Sequence, residues 1–371
     1  MDIKGFDIIV IGAGIAGASA AAFLAPHRRV ALLEAEEMAG YHTTGRSAAT
    51  WVLNYGPASV RVLTGASRAF LENPPPGFTD HSLLRQRSAM FLAPEAQLPT
   101  LATLLAEGQG LRELSPAQAC ALVPALRPGY AAGAAIEDEA FDIDVAALHQ
   151  GFLRQFRRHG GEIALRHRAG RLDFRAGQWD VTTSTGALFR APIVINAAGA
   201  WGDAVAALAG VPPIRLVPRR RTGVIIDPGP WSVADWPFID DLAGPWYCRP
   251  EARTRLMLSP ADETPSRPCD AQPDELDIAV AVDRMGRALD IQVSRVERSW
   301  AGLRSFTPDG TLAVGFEPGV EGFFWCVGQG GYGIQTSPAV GGLVADLVLG
   351  RDVAALAPVI PALDPHRYRR T

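Results

Sequence analysis

Hydrophobic and polar positions divide the chain into short apolar runs separated by glycine-rich turns and amphipathic stretches. Phe6-Asp7-Ile8-Ile9-Val10-Ile11 reads as a strand buried on both faces of a parallel sheet. Gly12-Ala13-Gly14-Ile15-Ala16-Gly17 follows at once, then a helix predicted over Ala18 to Leu24, then a second strand over Val30 to Leu33 that closes on Glu34. Further on, Val145, Leu148, Phe152 and Phe156 recur at helical spacing, with Asp144 as the expected N-cap and Gly160-Gly161 as the stop. His149 on this helix reads as structural. Pro192 to Gly199 predicts another strand of the same sheet, ending in a turn of small residues, with a helix over Ala200 to Leu208. Near the far end Gly322 to Val327 predicts a buried strand and Gly328 to Gly333 a loop. Ile334 to Leu349 predicts a helix interrupted by Pro338 and closely packed at Gly341 and Gly342. Prolines at 74–76, and again between Pro260 and Pro273, mark loops or domain crossings.

The first unit has the spacing of a dinucleotide site. Gly12 permits the tight turn, Gly14 lets backbone approach a pyrophosphate, Gly17 lets helix and strand pack closely, and the helix N-terminus offers free N–H groups to the anion. Glu34, 22 residues beyond Gly12, is placed to accept ribose hydroxyls; its charge disfavours NADP and leaves FAD and NAD. The same glycines argue against a signal peptide or membrane helix over the uncharged stretch Ile8 to Pro26, so the chain is expected in the cytoplasm, with at most loose membrane association and no transmembrane segment.

Composition narrows the chemistry. With 371 residues, 48% hydrophobic and 20% charged, the chain can bury a large core, and its net charge of -4 provides no basic face for nucleic acid. Lys4 is the only lysine, so Schiff-base chemistry is excluded elsewhere and arginine does the cationic work. Cys120, Cys248, Cys269 and Cys326 lie far apart, which provides neither a metal cage nor a CxxC redox site. The polar segment Gly40 to Ala49 is long for a plain turn and suits wrapping a flavin. The N-terminus of the last helix, carrying roughly half a positive charge, suits the pyrimidine side of a flavin ring.

These segments resemble the D-amino-acid oxidase superfamily of FAD enzymes, most closely the bacterial D-arginine dehydrogenase group. The resemblance runs through nearly the whole chain. It rests on Tyr41-His-Thr-Thr-Gly-Arg-Ser-Ala-Ala49, Arg68 to Pro75, Asp142-Ile-Asp144 with Ala147 to Gly151, Asn196 to Trp201, Trp300 to Phe306, and Gln329 to Ser337. It implies an α/β fold with an α+β second domain: a Rossmann-like FAD-binding domain built from residues 1–80, 141–214 and 299–371, and a substrate domain with a mostly antiparallel sheet from 81–140 and 215–298. Implied contacts to non-covalent FAD come from Gly12, Gly14, Ile15, Ala16, Gly17, Glu34 and Ala35, from His42, Thr43, Thr44, Gly45, Arg46, Ser47 and Ala48, from Ala198, Gly199 and Trp201, and from Arg304, Gly330, Gly331, Tyr332, Gly333 and Ile334.

By the same resemblance, a substrate carboxylate falls to Arg221, Arg304 and Tyr247, Tyr55 stands on a mobile loop over the pocket, and the Gly331 carbonyl receives the amine. An arginine fork and a phenol suit a carboxylate on chemical grounds too. Read alone, Arg219-Arg220-Arg221 is a solvated charge run and Arg304 a surface ion pair. The implied reaction is oxidation of a D-amino acid by hydride transfer from Cα to flavin N5, with electrons leaving to a quinone or other carrier. The same clamp also serves glycine, N-alkyl glycines or 2-hydroxy acids, and a flavin subunit passing electrons within a larger complex is a further alternative. The guanidinium-holding glutamate of the D-arginine enzymes corresponds to Ala89, their lid histidine to Thr50, a threonine to Val52, and two apolar pocket residues to Phe238 and Asp240. Loss of that glutamate moves preference towards neutral or apolar D-amino acids. Asp240 either meets a substrate cation or hydroxyl or points into solvent, solvent being the default. No cysteine lies within Leu303 to Pro308, where other members attach FAD covalently.

Overall fold

The computed structural model describes residues 3–242 and 244–369, and in it the apolar runs become neighbours in one sheet. Its six strands lie in the order Glu162–Ala164, Val30–Leu33, Ile8–Ile11, Ile193–Asn196, Phe323–Val327 and Ala313–Phe316. The first five are parallel and the last is antiparallel. Alternation serves both faces. Ile8, Val10, Leu32, Ile195 and Phe324 pack under the helices Ile15–Leu24, Val145–Arg158 and Gly333–Leu349. Ile9, Ile11, Val194, Phe323 and Trp325 pack against Trp179, Phe189 and Val205 on the opposite side.

The helix Val145–Arg158 begins as expected, with the Asp144 carboxylate accepting from Ala147 N at 2.8 Å. The last helix differs from expectation: it runs unbroken from Gly333 to Leu349 through Pro338. The Ile334 carbonyl that Pro338 cannot reach accepts instead from Ser337 Oγ at 2.9 Å, and Ala339 N donates to Ser67 Oγ at 3.2 Å, so side chains replace the bonds the proline ring removes. Gly341 is needed for contact with the first helix, since a Cβ there would lie 2.9 Å from Ser19 backbone carbon.

The second large sheet has eight strands in the order Val296–Phe306, Val217–Ile226, Arg255–Ser259, Tyr247–Glu251, Phe238–Asp241, Ala89–Ala93, Gly133–Glu137 and Leu111–Leu114. All neighbours are antiparallel except Phe238–Asp241 with Ala89–Ala93. Val224, Ile226, Leu256, Leu258, Cys248, Ile239 and Met90 form its apolar back, covered by Ala281, Met285 and Ala288 of the helix Glu275–Ala288. The period of two then sends Arg221, Ser259, Tyr247, Asp240 and Phe91 to the front. A slip of one residue would exchange these polar groups with the apolar core, so burial of the back fixes the register that builds the site. Val296–Phe306 pairs with Val217–Ile226 along its length, so the domain boundary expected at 298/299 falls inside a strand of this sheet. Among the described residues no helix is long and apolar enough to cross a membrane.

Candidate cofactor and substrate site

Two cavities adjoin between the carboxyl ends of the parallel strands and the polar front of the eight-stranded sheet. The larger, about 400 Å³, starts at the first glycine turn. Gly12 has φ +104°, and a Cβ there would sit 2.5 Å from the Ala197 carbonyl oxygen; a Cβ at Gly17 would sit 1.8 Å from that of Gly12. Both glycines therefore shape the turn itself, and Gly17 does not border the cavity. Gly14 does, and its missing Cβ would meet only Thr44 Oγ1, at 3.3 Å. Glu34 accepts from Ala13 N at 2.8 Å and from Glu36 N at 3.0 Å, and Thr44 Oγ1 accepts from Ile15 N at 2.9 Å. His149 supports the turn from below, 2.9 Å from the Ala13 carbonyl; burial lowers its pKa and keeps it neutral, the structural role expected of it.

Ile15, Ala16, Ala35, Thr43, Ser47, Ala48, Ala198, Gly199, Gly330, Gly331, Gly333 and Ile334 also border this cavity. The His42 ring packs at a tilt against Trp201, centroids 4.7 Å apart, and its Nδ1 is buried without a partner among the described residues. Besides Gly17, three sequence assignments change. Gly45 closes the loop through a 2.9 Å bond to the Gly40 carbonyl and lies away from the cavity. Tyr332 turns its ring to Tyr55, at 5.1 Å. Arg46 borders the cavity, but its guanidinium donates to the Ala271 and Ala301 carbonyls at 2.9 Å and to Asp270 at 2.5 Å, bolting the loop to the second sheet. A glycine cradle, a helix N-terminus, an acid at the second strand and an unsatisfied imidazole nitrogen together fit FAD. None of the residues bordering the cavity is cysteine. Acid precipitation is therefore expected to release the flavin colour into the supernatant; colour retained in the pellet would show a covalent link.

The smaller cavity, about 250 Å³, shares Arg221, Tyr247, Arg304 and Gly331 with the larger one and is also bordered by Thr50, Val52, Tyr55, Phe91, Phe238, Asp240 and Gln335. Arg304 donates to Tyr55 Oη at 3.1 Å and to Tyr247 Oη at 3.4 Å. Among the described residues it has no carboxylate ion-pair partner, so the hydrogen bonds of this half-buried guanidinium go to phenols. Burial raises the Tyr247 phenol, but the charges of Arg304 and Arg221 and bonds with Ser259 and Arg221 outweigh it, and the net pKa falls below the ordinary value. A Cβ on Gly331 would lie 2.9 Å from Arg304 Nη1 and 3.0 Å from Tyr55 Oη, so glycine admits both groups.

The two arginines of the expected fork are unequal. Arg221 donates to the Asp262 carbonyl at 2.9 Å and to Glu263 Oε1 at 3.1 Å, while Glu263 Oε2 lies 2.5 Å from Arg219 Nη1. Arg220 pairs with Asp277 at 2.6 Å. The arginine run is thus ion-paired rather than solvated. Glu263 sits in a proline-bounded loop with no local motif, and only the fold brings it to Arg221.

Tyr55 stands on a segment pinned at its base. Glu137 accepts from Leu53 N at 2.6 Å, Asn54 N at 3.2 Å and Asn54 Nδ2 at 2.7 Å, with burial raising its pKa against these donors. Gln335 Oε1 accepts from Val52 N at 3.3 Å. Glu137→Ala leaves buried N–H groups unpaired and is expected to lower stability by about 3 kcal/mol in chemical denaturation and to raise KM through Tyr55. Unchanged KM would separate this anchor from the site.

Ala89 is fully buried beside Val52 and Phe238 and does not border the cavity; Phe91, two positions along the same strand face, forms the wall instead. Asp240 borders the cavity, which corrects the solvent-facing default. Burial and the neighbouring Asp241 push its carboxyl up to about 7, against the pull of Arg221 and Arg304.

A family model described as "DAO: FAD dependent oxidoreductase" matches residues 7–347. FAD-dependent oxidoreductase domain-containing protein 1 of Xenopus laevis is 30% identical over 179 residues, 42% of this chain and 34% of that protein, so the chain spans about a third of that relative's length. The crystal structure of L-proline dehydrogenase from P. horikoshii superposes with TM-score 0.87 at 20% identity, covering 100% of this chain and 99% of that one. Glycine oxidase from Geobacillus kaustophilus gives 0.83 at 22%, covering 95% and 96%. At these identities the two structures show the fold.

Proposed function

Because this chain belongs to the DAO family of FAD-dependent oxidoreductases, we propose that it oxidises D-amino acids to imino acids, which water converts to 2-oxo acids and ammonia. The observation that carries this reading is the half-buried, cavity-facing Arg304 guanidinium without an ion-pair partner among the described residues. A cation in a cavity of that kind calls for an anion, and a substrate carboxylate supplies one that Tyr55 and Tyr247 can bond as well. Bound FAD supplies the acceptor for the hydride leaving Cα. The chain's own part is orientation: Arg304 and the two phenols hold the carboxylate, and the Gly331 carbonyl, beside them, takes an amine N–H.

The apolar walls Val52, Phe91, Phe238 and Ile334 favour compact side chains over an extended guanidinium tail. A quinone or another carrier takes the electrons onward in this reading. Similar proteins named for glycine and L-proline oxidation support an amino-acid substrate, and they keep glycine or an N-alkyl glycine as the second reading.

Anaerobic mixing of the holoprotein with D- and L-amino acids, glycine, sarcosine and 2-hydroxy acids tests this. Bleaching of the flavin by D-amino acids and not by their L forms is the expected result. Bleaching by sarcosine or a hydroxy acid alone would move the assignment to that class, and no bleaching at all would leave an electron-transfer subunit.

A further inference from the structure

Arg304 has an unpaired counterpart of opposite sign. Asp240 stands directly across from Tyr247 on one neighbouring strand and from Phe91 on the other, so its side chain shares their face of the sheet. It borders the smaller cavity, is half-buried, and has no hydrogen-bond or ion-pair partner among the described residues. The other charges there are matched: Arg221 by Glu263, and Arg304 by the substrate carboxylate in the reading above. An acid left among Val52, Phe91 and Phe238 needs a donor, and the ligand is what brings one.

We propose that Asp240 is a specificity-determining residue that selects D-amino acids whose side chain carries a hydrogen-bond donor, a hydroxyl or an ammonium, over hydrocarbon side chains of the same shape. This rests on the amino-acid reading of the site. Tyr247 meets Arg304 with its hydroxyl, whereas Asp240 neighbours the Cβ end of the same residue, so the two mark opposite ends of one ring. A ligand with its carboxylate at the hydroxyl end brings its side chain, rather than its head group, to Asp240. Discrimination follows because a methyl group against this carboxylate leaves it buried and unsatisfied, whereas a donor satisfies it. The charged or titratable groups around Asp240 are Asp241 on its own strand, Tyr247 on the next, and Arg221 and Arg304 beyond, with Tyr55 and Glu263 also bordering the cavity. Its carboxyl ionises as pH rises through about 7, so preference for a donor strengthens across that range.

The test compares kcat/KM of the holoenzyme within two isosteric pairs, D-threonine against D-valine and D-2,4-diaminobutyrate against D-norvaline. The first pair reads a hydroxyl and the second an ammonium. A preference of roughly tenfold or more for the donor in at least one pair is expected. In Asp240→Val the ratio should approach one, with D-valine turnover rising several-fold as the unsatisfied acid is removed. Asp240→Asn should keep part of a hydroxyl preference and lose an ammonium preference. The visible flavin spectrum reports that both variants are folded. Ratios near one in the wild type, or ratios that persist in Asp240→Val, would overturn the assignment while leaving the amino-acid reading intact. Failure of every D-amino acid to bleach the flavin would overturn both.

Discussion

Replacing Arg304 with leucine is expected to lower kcat/KM for the best D-amino acid by about a thousandfold while FAD stays bound. The size follows from what would be lost. Arg304 is half-buried, its N–H groups reach Tyr55 and Tyr247 among the described residues, and no ion pair with a described carboxylate shares its charge, so the substrate's carboxylate would enter the cavity with no cation dedicated to it. Arg221→Leu should cost far less, about tenfold, because Glu263 already balances that guanidinium. Steady-state kinetics on both variants, with the visible spectrum as a check on FAD content, decides the point. Equal losses would mean a symmetric fork, in which Glu263 moves aside when substrate binds. Arg304→Lys should recover little, since an ammonium cannot reproduce the planar fork between two phenols and a carboxylate.

The second large effect is expected at Gly17. A Cβ 1.8 Å from the Gly12 carbonyl oxygen collides with backbone, which cannot move without opening the turn. Gly17→Ala should therefore lower the stability of the apoprotein by roughly 3 kcal/mol and abolish FAD uptake. Gly14→Ala provides the contrast. Its Cβ would meet only a threonine hydroxyl within the protein, at 3.3 Å, but would project into space the cofactor needs. Apoprotein stability should be nearly unchanged and FAD affinity reduced. Thermal denaturation of the apoprotein, alongside flavin fluorescence titration, separates the two outcomes; a stable Gly17→Ala that binds FAD normally would refute the packing account.

The fold was legible where order along the chain and order in space coincide. Val30–Leu33 has the expected bounds, Asp144 caps its helix, and the glycine turn opens a helix that starts at Ile15, three residues earlier than its alanine run suggests. The group proposed to hold a carboxylate was named through resemblance, and the structure gathers its members Arg221, Arg304, Tyr247 and Tyr55 at one cavity. What sequence could not show were the partners. Glu263 reaches Arg221 across a strand pairing and a loop, Glu137 reaches Asn54 over 83 positions, and Arg46 reaches Ala301 over 255. No periodicity encodes such contacts. Pro338 was read as a break because the serines that repair its lost bonds are visible only in three dimensions. Ala89 was placed at the pocket, and Asp240 was left open between ligand and solvent, for a related reason: strand alternation fixes the face, but depth along the strand decides which residue on that face meets the cavity.

Titration of the oxidised holoprotein with a simple carboxylate that has no amine, such as acetate or benzoate, tests most directly whether Arg304 is an anion site beside the flavin. A saturable change in the flavin absorption spectrum in the wild type, absent in Arg304→Leu and retained in Arg221→Leu, is the predicted result. No change in the wild type, or the same change in Arg304→Leu, would contradict it.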